Sequence, residues 1–142
     1  MQATLMSDGE FKDWYFWPEE MFEHEIVGPF YFREDKEGMA CAFRAADKHM
    51  NAGGVVHGGC LMSFADFSLF AIAQPYMDTD SYGVTVAFTS EFLSGPVAGD
   101  YIEARGEVLR AGGSLIFVRG LITGNGKPVL NFSGTIKRIR PK

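Results

Sequence analysis

One helix that must be buried on almost every side constrains this chain more than any other feature. From Ala52 to Met77 the sequence reads AGGVVHGGCLMSFADFSLFAIAQPYM. Gln74-Pro75 stops the helix, because proline has no amide to donate and its ring clashes with the preceding turn. Apolar side chains fall on all faces, so no face suits water. A flat sheet covers only one face of a helix. A strongly curved antiparallel sheet wraps it instead, and a second copy of the chain covers whatever side stays open. Asp66 is the sole acidic residue in this stretch. A carboxylate in such a setting is costly unless something compensates it, which marks Asp66 as a candidate functional group.

The remaining pattern supplies the sheet. His24–Arg33 and Gly38–Arg44 flank a turn-like EDKEG and predict a hairpin. After the helix, Val84, Val86 and Phe88 alternate with Thr85, Ala87 and Thr89. Ile102, Ala104 and Val108 alternate with Glu103, Arg105 and Glu107, the pattern of a half-buried strand. Ser114–Thr123 and Pro128–Arg138 complete a meander, with turns at Arg110–Gly113 and Gly124–Lys127. The second turn carries the Asn-Gly hairpin signal. The expected class is α+β: one long central helix wrapped by a curved antiparallel sheet of about six strands. Residues 1–23 form an aromatic-rich extension, expected to pack as a lid, and residues 24–142 form the single domain.

Composition narrows the function classes. The net charge of −5 over 142 residues opposes broad binding to nucleic acid or to an anionic membrane. Two cysteines without a CxxC, and three scattered histidines, give neither a disulfide framework nor a metal site. The N-terminus lacks a basic region followed by an apolar one, and the apolar run is too short for a span, so a cytoplasmic protein is expected.

The chemistry concentrates in one motif, Asn51-x5-His57-Gly58-Gly59-x6-Asp66. The glycines let a ligand approach the backbone and leave free amides at a helix N-terminus. Those amides and the Asn51 carboxamide suit an oxyanion, while Asp66 among apolar neighbours suits a general base or nucleophile. Two donors and one carboxylate fit acyl transfer to water. Structural alternatives stand beside each residue. Asn51 is equally suited to stabilising its own turn, and His57 to capping the helix. Gly58-Gly59 also suits close packing, and Thr85 is an ordinary strand former. Cys60, near the helix start, offers a weaker Cys–His nucleophile reading.

The motif N…HGG…D, the buried helix and the meander together resemble the hotdog-fold acyl-CoA thioesterases, in particular the PaaI-type branch. The resemblance covers about residues 24–140. It implies that the Gly58 amide and Asn51 side chain polarise a thioester carbonyl. Asp66 would then attack it, or activate water, from the opposing subunit. It further implies that His57 supports the site and that Thr85 helps place water. Gly59, Arg110, Gly113, Ser114 and Arg138 would contact the CoA portion, with the turn Arg110–Leu115 nearest the nucleotide. The implied protein is a homo-oligomer, a dimer or dimer of dimers. It acts on acyl-CoA with no cofactor and no metal beyond the CoA carried by the substrate. Phe64, Phe67, Phe70 and Phe88 point to an apolar acyl pocket. Two other readings are a non-catalytic acyl-CoA-binding module and a hotdog dehydratase or hydratase. No HFPG-like stretch supports the latter.

Overall fold

The computed structural model describes residues 2–141. The helix α1 spans Gly58–Ala73 and is followed by a 3-10 turn at Gln74–Tyr76, so the chain leaves the α-helix at the Pro75 signal. Eight strands form one antiparallel sheet: β1 (Thr4–Leu5), β2 (Tyr15–Phe16), β3 (Tyr31–Asp35), β4 (Gly38–Arg44), β5 (Tyr82–Phe92), β6 (Tyr101–Ala111), β7 (Leu115–Gly124) and β8 (Lys127–Ile139). Their spatial order is β1-β2-β3-β4-β6-β7-β8-β5. The helix packs against the last five of these, which is the wrapping that its apolar surface demands.

The strand count exceeds the expected six because the aromatic extension adds β1 and β2, each only two residues long, beyond β3. The predicted strand His24–Arg33 is also shorter than expected. Its first part is instead a π-helical turn at Phe22–Ile26, and β-pairing with β4 begins only at Tyr31. Gly28-Pro29 lies between the two, where proline cannot donate to a ladder.

Strand alternation explains how the extension is held. Phe32, Cys41 and Phe43 point into the main core with α1, while Tyr31, Ala40 and Ala42 face the other way. Phe11 and Trp14 from the extension cover that second face, with Phe11 stacked on Tyr31 at 4.6 Å between ring centroids. Trp17 then crosses to the helix side and packs on Phe32 and Phe67.

The main core is aromatic, built on Phe30, Phe43, Phe64, Phe67 and Phe132, all fully buried. Phe64 meets Phe43 edge-on at 4.8 Å. Close approach of helix to sheet depends on Gly134 of β8, where a Cβ would lie 2.4 Å from Leu69 Cδ1. The β7–β8 turn takes Asn125 at φ 49° and Gly126 at φ 85°, as a two-residue hairpin with two left-handed positions requires.

The helix is not buried all round. Gly59, Met62, Ser63, Asp66 and Phe70, spaced for one helical stripe, stay exposed or half-buried, while nearly every other residue of α1 is buried. The adjacent edge strand β5 is long and apolar, with Val86 53% and Phe92 55% exposed, and its outer edge is unpaired among the described residues.

Candidate active site

The exposed stripe of α1 opens onto a cavity of about 470 Å³. Asp66 and Phe70 reach it from the helix, Tyr82 and Gly83 from the start of β5, and Gln74 to Ser81 partly from the connection between them. The remaining wall is Trp17, Glu20 and Glu23 of the extension. Helical spacing puts Asp66 and Phe70 on the same line, one turn apart, so the motif carboxylate faces the cavity and not the core.

Among the described residues the Asp66 side chain is anchored by one hydrogen bond: Thr85 Oγ1 donates to its Oδ1 at 2.6 Å. A short O–H···O contact to a carboxylate is charge-assisted and fixes the rotamer. Thr85 sits on β5 just before a bulge, where Ala87 resumes the pairing with β8. Such bulges re-aim side chains beside functional sites. Two residues named from the sequence are therefore brought into contact.

The other half of the motif gathers at the helix N-terminus. His57 is the N-cap, its Nδ1 accepting from the Gly59 amide at 2.9 Å. The Cys60 and Leu61 amides return to the His57 carbonyl. Among the described residues only the Gly58 amide of this first turn has no protein acceptor. Asn51 lies in the preceding loop, its Oδ1 accepting from the Gly53 and Val55 amides at 2.9 and 3.3 Å. That is the turn-stabilising role, and it leaves the Asn51 amide group, the donor half, without a protein acceptor among the described residues. Replacing His57 with Ala removes the cap and orphans the Gly59 amide. The expected cost is about 1 kcal/mol, read as a lower midpoint in denaturant unfolding.

These two halves do not meet within one chain. Gly58 and Asp66 are eight positions apart on one helix, about 12 Å along its axis, too far to serve a single carbonyl.

Arg110, Gly113, Ser114 and Arg138 cluster at the β6–β7 turn. Arg110, Gly113 and Ser114 are exposed. Arg138 is already engaged, donating to the Gly112 and Gly113 carbonyls at 2.9 and 3.1 Å and to the Tyr76 carbonyl at 2.9 Å. Its guanidinium ties the turn to the 3-10 turn that follows α1 and shapes the loop more directly than it offers charge outward. Cys60 gives no support to a Cys–His nucleophile, since burial pushes its thiol up to about 11.

The phenylalanines named from sequence mostly lie elsewhere. Phe64 and Phe67 are core, and Phe88 lines a separate shallow depression of about 170 Å³ on the sheet. Only Phe70 reaches the main cavity. The lining mixes apolar Trp17, Phe70, Met77 and Tyr82 with four acidic residues, Glu20, Glu23, Asp66 and Asp78, and among the described residues it holds no Lys, Arg or His. Burial first, then the charges of Glu20 and Asp66, raise the Glu23 carboxyl to about 7. Sequence reasoning missed Glu20 and Glu23. They precede the domain proper, and no spacing links them to Asp66.

Comparison with known proteins places this geometry. The sequence profile of the thioesterase superfamily matches residues 53–128, from the loop before α1 to the start of β8. The chain belongs to the thioesterase superfamily. A Pseudomonas aeruginosa protein provisionally named an esterase is 29% identical over 111 residues, 78% of this chain and 83% of its own length. Among solved structures, a point mutant of the phenylacetic acid degradation protein PaaI from Thermus thermophilus superimposes with a TM-score of 0.70 at 21% identity. The match covers 82% of this chain and 97% of that one. A Bacillus halodurans protein crystallised with CoA gives 0.72 at 18% identity, covering 78% of this chain and 74% of that one. These likenesses establish the hotdog fold, one long helix on a large antiparallel sheet. None of the helices in the described residues is long and apolar enough to cross a membrane.

Proposed function

We propose that this superfamily member is an acyl-CoA thioesterase that works as a homo-oligomer. The observation that carries the reading is Asp66: a carboxylate on an otherwise apolar helix, facing a cavity and oriented by Thr85. The Bacillus halodurans neighbour bound to CoA supports CoA as the thiol portion.

In the proposed reaction, one copy of the chain supplies the Gly58 amide and the Asn51 amide group. Both donate to the thioester oxygen as it gains negative charge. The partner copy supplies Asp66. As a base, its carboxylate takes a proton from water while the oxygen forms a bond to the acyl carbon. The carbon–sulfur bond then breaks, and the proton passes to the leaving thiolate or to solvent. As a nucleophile, the carboxylate itself bonds to the acyl carbon and expels thiolate, and water then cleaves the anhydride. Either route consumes one thioester and one water and yields one acid and one thiol. The separation of about 12 Å within a chain and the open stripe of α1 support a site shared between copies. Residues at the Arg110–Ser114 turn are the candidates for the nucleotide end of CoA.

The test is free-thiol release from a panel of acyl-CoA thioesters of matched length. Neutral acyl groups should be hydrolysed. A matched acyl group ending in a carboxylate should react at least about tenfold more slowly, because an acidic lining without a cation opposes it. Thiol release from no member of the panel would sink the enzyme reading and favour a binding module.

A further inference from the structure

Glu23 lines the cavity in surroundings that work against its charge. It belongs to the π-helical turn Phe22–Ile26 of the N-terminal extension and shares the cavity with Asp66. Among the described residues no protein group donates a hydrogen bond to its carboxyl. The groups that face the same space are Glu20 from the same segment, Asp66 from α1, Asp78 from the loop after it, and Tyr82 from β5. Asp78 is offset by Arg140 at 3.4 Å on the outer side. Lys48 donates to the Ile26 carbonyl at the end of the same turn and does not line the cavity. Among the described residues, therefore, no cationic side chain lining the cavity balances a negative charge at Glu23. The extension is also not a loose appendage, since Trp17 beside it is buried against Phe32 and Phe67.

We propose that Glu23 is a positioning residue of the Asp66 cavity, closing it as a neutral acid and, once ionised, opposing the negative charge that develops at the reacting carbonyl. This rests on the thioesterase reading above and adds to it a role for the extension. The neutral carboxyl can donate a hydrogen bond as well as accept one. The ionised one places a second negative charge beside Asp66, and like charges sharing a site disfavour each other. Because Glu23 changes state near pH 7, the cavity changes charge within the physiological range.

The experiment is a pH series from about 5.5 to about 9 on wild type, Glu23→Gln and Glu107→Gln. Glu107 lies on the sheet, paired with Arg119 and outside the cavity, and serves as the control. For a hydrolysed thioester, wild-type kcat/KM should fall with an apparent pKa near 7, the loss steepening toward about tenfold per pH unit above it. The limb should vanish in Glu23→Gln and persist in Glu107→Gln. A limb that survives unchanged in Glu23→Gln overturns the proposal. If no thioester is hydrolysed, the hydrolase reading fails separately. The same series is then read as acyl-CoA affinity by calorimetry, with the same two outcomes. Thermal unfolding gives a readout independent of turnover. A carboxyl raised from its ordinary value to about 7 keeps its proton in the folded state where the unfolded state has lost it. Stability should therefore drop as pH rises from about 4.5 through 7. Glu23→Gln should melt about 3–5 °C above wild type at pH 8, allowing for its partial exposure, and show no such gain at pH 4.5. Parallel melting curves across that window would show that Glu23 is not held neutral and would overturn the proposal.

Discussion

Asp66→Asn should lower kcat/KM for a hydrolysed acyl-CoA by about 10²–10⁴-fold while leaving the fold and the unfolding midpoint close to wild type. The substitution keeps the shape of the side chain. Its Oδ1 still accepts from Thr85 Oγ1, the one hydrogen bond of the Asp66 side chain among the described residues. What it removes is the capacity to take a proton from water or to bond to the acyl carbon. Both proposed routes need that capacity, so both predict the same loss. The loss should appear in kcat more than in KM, because the carboxylate acts on the transition state and contributes little to holding CoA. Asp66→Ala should lose as much activity, and it also leaves the Thr85 hydroxyl without its acceptor. Full activity in both variants would remove Asp66 from the chemistry. Equal losses of activity and stability in Asp66→Asn would make it a structural residue.

The second large effect is expected at the edge strand. Val84→Lys combined with Val86→Lys should convert an oligomer into a 15.7 kDa monomer in sedimentation and reduce thioester hydrolysis at least about 100-fold. Both valines are exposed on β5, which pairs with β8 on one side and, among the described residues, with no strand on the other. An unpaired apolar edge is a template for a second strand, and lysines on it oppose that pairing by charge and desolvation. Activity should fall with the oligomer. Gly58 and Asp66 of one chain lie about 12 Å apart along α1 and cannot act on one carbonyl alone. Circular dichroism should still report a folded chain, since neither valine belongs to the buried core. A monomer that retains full activity would show that each chain holds a complete site. An unchanged oligomer would place the interface elsewhere.

The sequence was most informative where local chemistry and global packing agree. The helix from Gly58 to Ala73, its stop before Pro75 and the Asn125-Gly126 hairpin were all readable, because each rests on a local backbone constraint. The strands of the C-terminal half were readable because alternation is a direct record of one buried face. The segment around His24 was not. Its residues read as strand, yet Phe22–Ile26 coils, and burial of Trp17 in the main core accompanies that path. Phe64 and Phe67 illustrate the same limit within a helix. An apolar side chain on a helix reads alike whether it fills the core or lines a cavity, and only the position of the sheet decides which.

Asp66 stood out from sequence alone as a charge on an apolar helix, and its spacing from Asn51, His57 and Gly58 carried the resemblance to the hotdog thioesterases. The first of these follows from the cost of desolvating a carboxylate, which is the same wherever the helix is placed. Tertiary structure decided what surrounds it. Folding brought Thr85 to within 2.6 Å of Asp66 and carried Glu20 and Glu23 from the extension to the same cavity. It also left β5 at the open end of the sheet. These are long-range juxtapositions, fixed by how the chain closes around α1, and no local pattern in the sequence encodes them.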